Sequence, residues 1–82
     1  MNNYKTSGVC AKEISFLVEN DIVTQVIFKE GCAGNLKGIG ALVQGMKVDD
    51  VISKIKDTKC GQRDTSCPDQ LAKALANWKA QQ

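Results

Sequence analysis

The chain contains no histidine. That removes the histidine general base, every histidine-based catalytic triad and all mixed Cys/His zinc sites. Aromatic residues are scarce, at one tryptophan, one tyrosine and two phenylalanines. No strand is therefore rich enough in rings to stack bases, and a net charge of +2 with scattered lysines supplies no basic patch. No nucleic-acid partner is expected. No apolar run approaches the roughly 20 residues of a membrane span, so no membrane partner is expected either. Met1 to Thr6 lack the apolar centre of a signal peptide, which predicts a cytoplasmic protein.

Cysteine, in contrast, is plentiful, with Cys10, Cys32, Cys60 and Cys67 in 82 residues. Stable disulfides are rare in the cytoplasm, so four thiols in so short a chain point to metal or redox chemistry. Residues 1–82 are read as one small domain. Such a chain buries only roughly 60–65% of its unfolded surface, and a metal staple would help to hold it.

The order of patterns predicts an α+β fold, a small antiparallel β meander followed by three helices. Tyr4 to Thr6 form a short first strand. Ile14, Phe16 and Val18 alternate with Ser15, Leu17 and Glu19, the period of a half-buried strand. Asn20 and Asp21 tolerate positive φ and make a hairpin turn. Ile22 to Phe28 is a β-branched partner strand, with Val26 and Phe28 on one face. Leu36, Ile39, Leu42, Val43 and Met46 have helical spacing, and Gly45 terminates that helix. Gly38 and Gly40 inside it each cost about 1 kcal/mol relative to alanine, which close packing would offset. They follow no strand directly, so the phosphate-cradling fingerprint is not met.

A second helix opens at Asp49 and Asp50, with Val48, Val51, Ile52 and Ile55 on one face and Cys60-Gly61 closing it. Pro68 starts the last helix. Its N-cap is expected at Cys67, with Ser66 as the alternative, and Asp69 stands in the first turn. Leu71, Ala72, Leu75 and Trp78 form its apolar stripe, and Lys79 to Gln82 are expected to fray. Asp64 and Asp69 read as a loop charge and a helix-start charge, not as ligands or acid–base groups.

Cys32, Cys60 and Cys67 each fall at a boundary between elements, where side chains from distant segments can converge. A structural zinc site takes four thiolates at roughly 2.3 Å in a tetrahedron. Four thiolates change the formal charge from +2 to −2, and Zn²⁺ restores zero. The separations of 22, 28 and 7 positions lack the paired C-x-x-C knuckles of common zinc modules. Free cysteine also serves as a small buried hydrophobe. For Cys10, in a stretch without a clear assignment, that alternative stays open.

Thr65-Ser66-Cys67-Pro68-Asp69 spells the motif of the TSCPD domain, and the chain resembles the short four-cysteine members of that family. It also looks like the TSCPD region at the carboxyl end of adenosylcobalamin-dependent ribonucleotide reductases. Tyr4-Lys5, Cys10, Gly31-Cys32-Ala33, Asp49-Asp50-Val51-Ile52, Lys59-Cys60 and Leu71-Ala72-Lys73-Ala74-Leu75 extend the likeness over nearly the whole length. More distantly, Phe28 to Gly34 and Gly45 to Asp50 are similar to the U-type iron–sulfur scaffold proteins. That similarity implies their fold, and a shared metal site at Cys32, Cys60 and Cys67. Ser66 stands where those scaffolds have a histidine, and the segment from Cys60 to Cys67 is much shorter.

The residues and the resemblance together lead to an expected metal-binding domain that uses up to four thiolates, Cys10, Cys32, Cys60 and Cys67, for zinc. The alternatives are an iron–sulfur cluster carrier or scaffold, a thiol–disulfide module using Cys60 and Cys67, or an accessory partner of ribonucleotide reductase. Iron–sulfur assembly proteins are the other partners implied. Reductase activity itself does not transfer, because its radical chemistry requires a large barrel that 82 residues cannot contain.

Overall fold

Residues 2–6, 11–30, 33–59 and 64–81 are described by the structure, a computed structural model. Strands β1 (Asn2–Lys5), β2 (Glu13–Glu19) and β3 (Ile22–Lys29) precede helices α1 (Ala33–Val43), α2 (Val48–Ile55) and α3 (Cys67–Ala80). The strands form an antiparallel sheet in the order β1-β2-β3. This is the α+β arrangement, meander first and helices after, that the patterns predict.

The hairpin forms where two residues accept a left-handed backbone, Asn20 at φ 53° and Asp21 at φ 63°. Alternation along β2 buries Ile14 and Phe16 and leaves Leu17 and Glu19 exposed. Val26 and Phe28 stand opposite Phe16 and Ile14, and all four share the core face. Val23 is fully buried on that face too, although its odd number sets it against Val26 and Phe28 in a strict alternation. A register shift beside Leu17/Val18 resolves the conflict, since Leu17 pairs with Gln25 and Val18 with Val23. Thr24 is the extra residue of a bulge, and one extra residue inverts the parity.

Helix α1 lies against β3. Leu36 and Val43 are buried, and a Cβ on Gly40 would stand 3.1 Å from the Val26 carbonyl oxygen. Close packing therefore explains Gly40, whereas a Cβ on Gly38 would meet nothing within 4 Å. Leu42 corrects the expected apolar face, being 77% exposed. It lies two residues beyond Gly40, about 200° around the helix, and so points away from the sheet. Gly45, at φ 88°, turns the chain and donates its N–H to the Val23 carbonyl at 2.7 Å. Val23 N–H donates to Met46 O at 2.8 Å, which fastens the α1–α2 turn to the outer edge of β3.

Val48 and Val51 from α2 and Leu71, Ala74 and Leu75 from α3 complete the core with Ile14, Phe16, Val23 and Val43. Trp78 packs against it as a partly buried anchor. Helix α2 is shorter than its sequence pattern suggests. It ends at Ile55, and Asp57 takes the left-handed conformation at φ 63°; the expected close at Cys60-Gly61 lies outside the described residues. Lys79 and Ala80, expected in a fraying end, fall within α3, and Lys79 pairs with Asp49 at the start of α2. No helix among the described residues is long and apolar enough to cross a membrane.

Candidate functional site

The connection from α2 to α3 ends in the five residues 65–69, and their side chains divide into those that fold the segment and one that does not. Ser66, at φ −149° and ψ 171°, is the N-cap of α3, and its hydroxyl accepts the Asp69 N–H at 3.2 Å. Cys67 is therefore the first helical residue, not the cap. Oxygen of a serine accepts from backbone N–H far better than sulfur, which is the physical reason for the one-position correction. The Ser66 hydroxyl also donates to the Thr58 carbonyl at 2.5 Å. One buried side chain thus starts the helix and holds the segment that left α2.

Asp69, three residues after the cap, occupies the position from which a capping-box acid reaches back towards its cap. Here it reaches farther. Oδ1 accepts the Asp57 N–H at 2.7 Å, and Oδ2 accepts the Thr65 hydroxyl at 2.5 Å. Lys73, one turn on, places its ammonium 3.0 Å from Oδ2. Gln70, itself 3% exposed, donates from Nε2 to the Thr65 hydroxyl at 3.0 Å. The left-handed turn at Asp57 and the start of α3 are thereby tied to one carboxylate that is only 2% exposed.

Burial is the largest single influence on Asp69 and opposes its charge. The hydrogen bonds from Thr65, Lys73 and the Asp57 amide together outweigh it and hold the carboxyl below its ordinary value. Reciprocally, the bond to Asp69 raises Lys73 above the ordinary lysine value. Among the described residues no buried side-chain nitrogen or oxygen lacks a partner. Asp69 is thus not simply the helix-start charge expected of it, since both of its oxygens accept hydrogen bonds that tie the segment together. Ser66 is committed as both donor and acceptor. Asp64 is exposed.

Cys67 remains. Its thiol is free and half-buried, and it makes no hydrogen bond among the described residues. Cys10, Cys32 and Cys60 lie outside the described residues. No group of three His, Cys, Asp or Glu side chains among the described residues is placed to hold a metal ion. Among the described residues the motif thus presents one thiol at a helix start, beside a hydrogen-bond network formed by Thr65, Ser66 and Asp69.

An antiparallel meander followed by three helices, with a thiol held at the start of the last by a buried acid and a serine cap, defines a small α+β cysteine domain. The family model of the TSCPD domain matches residues 2–79, and the chain belongs to that family. Comparison with curated proteins gave no match, and neither did comparison with solved structures.

What sequence reasoning missed is the clasp. Ser66-x-x-Asp69 carries the cap-and-acid spacing and could have indicated it. Nothing local, however, signals that the acid is buried against Asp57.

Proposed function

We propose that the protein is a metal-binding domain in which Cys10, Cys32, Cys60 and Cys67 supply up to four thiolates to one ion, Zn²⁺. The observation that carries this reading is the division of labour in the motif. Thr65, Ser66 and Asp69 are consumed in shaping the segment, and they leave Cys67 half-buried with a sulfur that makes no hydrogen bond among the described residues. A buried network that ends in a presented thiol suits a ligand better than a core-filling cysteine. The donor chemistry fits zinc, which takes Cys₄ sets in structural sites. With no histidine in the chain, a nitrogen ligand would have to come from elsewhere.

The ion's contribution would be to hold together segments that a domain of this size joins weakly. The chain's own residues hold the start of α3, and Cys67 with it, through Ser66 and Asp69, while Lys73 pairs with the Asp69 carboxylate. A cytoplasmic setting, where the thiols stay reduced, and an accessory role beside ribonucleotide reductase or iron–sulfur assembly proteins are consistent with this reading.

Elemental analysis of protein purified without added metal tests it. About one zinc per chain is expected, falling in the Cys67→Ser variant. A brown protein with labile sulfide would select the iron–sulfur alternative. A colourless, folded, metal-free protein would remove both.

A further inference from the structure

We propose that Asp69 is the positioning residue of the thiol site, setting the α2–α3 connection before any ion arrives; this rests on the metal-binding reading. Three donors from three places meet on its carboxylate, namely the Asp57 N–H behind α2, the Thr65 hydroxyl before α3 and the Lys73 ammonium within it. The network has a direction. Thr65 already accepts from Gln70, so its own proton goes to Asp69. Ser66 adds a parallel tie to Thr58, one residue past Asp57.

The connection is thus gripped at both ends, at 57–58 and at 65–66. Cys60 follows the first grip by two residues in the chain, and Cys67 follows the second directly. Cys60 lies outside the described residues, whereas a thiol at a helix start anchored in this way, as Cys67 is, loses little further freedom on binding, which is what preorganisation of a metal site requires. An exposed acid in a first helical turn would merely answer the helix dipole. Burial and three converging donors indicate a more specific task.

An amide at position 69 has a single acceptor oxygen. It can serve Asp57 or Thr65 but not both, and it turns donor hydrogens towards Lys73.

The test compares wild type, Asp69→Asn, Thr65→Val and the distant control Asp49→Asn. Each is titrated with cobalt(II) under reducing conditions, and the metal-free proteins are followed by amide hydrogen exchange. Asp69→Asn should weaken cobalt affinity about 10–100-fold and alter the thiolate-to-cobalt absorption at saturation. Exchange should accelerate at Asp57 and its neighbours while β2 and β3 keep their protection. Thr65→Val should show the same pattern more weakly, and it decides the matter if Asp69→Asn does not fold. Asp49→Asn should match wild type.

Cobalt binding within about twofold of wild type in Asp69→Asn and Thr65→Val would overturn the positioning role and leave the metal reading intact. Acceleration spread evenly over the whole chain would overturn it as well, because Asp69 would then be a general stabiliser. A wild type that takes no cobalt would defeat the metal reading, and the positioning role with it.

Discussion

Replacing Ser66 by alanine removes two ties at once, and the structure allows the cost to be worked out. The hydroxyl accepts the Asp69 N–H of the first turn and donates to the Thr58 carbonyl, and the residue is only 5% exposed. Loss of an N-cap side chain typically costs about 1 kcal/mol. Loss of the hydrogen bond to the Thr58 carbonyl adds about 1 kcal/mol. The sum, about 2 kcal/mol, corresponds to a fall in Tm of about 10 °C for a domain of this size. Urea unfolding followed by circular dichroism measures it, with Ser66→Thr as the control that keeps the hydroxyl. Threonine should stay within about 0.5 kcal/mol of wild type. If alanine does the same, Ser66 does not bridge the two helices, and the account of the motif as a clasp is wrong.

Other outcomes follow from the same contacts. Gly38→Ala should stabilise by up to about 1 kcal/mol, because the new methyl meets nothing and the helix gains propensity. Gly40→Ala should be less stable than Gly38→Ala, because its methyl would press on the Val26 carbonyl at 3.1 Å and offset the same gain in propensity; thermal melts of the pair separate the two. Lys79→Ala should change urea stability by less than about 0.5 kcal/mol, since both partners of its ion pair with Asp49 are at least half exposed. Asp69 has its folded pKa depressed below 3.8, so its contribution is full above the unfolded value of about 3.9 and is lost as pH falls through the folded one. Urea midpoints should therefore drop on acidification, and drop less in Asp69→Asn. Lys73, raised above 10.5, works in the opposite sense, its contribution fading as pH rises through its folded value.

The meander was legible because alternation and a left-handed Asn-Asp turn are local signals, and they placed Ile14, Phe16, Val26 and Phe28 on one face. The bulge at Thr24 was not. An extra residue shows only against the partner strand, so Val23 joins the core by a parity that β3 alone does not reveal. Helix α2 was over-read at its end, since nothing in Lys56-Asp57-Thr58 forbids another turn. What stops it is a carboxylate 12 residues away that draws in the Asp57 amide. Asp69 was placed in the first turn, but its burial depends on how α2 and α3 pack. At the site, four cysteines were legible in the sequence, and their acting together is a proposal. Of them, Cys67 was found one position inside the helix instead of at the cap, and Cys10, Cys32 and Cys60 lie outside the described residues.

Convergence of sulfur on one ion is the claim from which the functional reading descends. X-ray absorption at the zinc edge, on protein purified without added metal, addresses it directly. A first shell of sulfur at roughly 2.3 Å, with four scatterers, is the predicted result. A shell of oxygen or nitrogen alone, at roughly 2.0–2.2 Å, would contradict it, because those distances belong to carboxylates, imidazoles and water rather than to these cysteines.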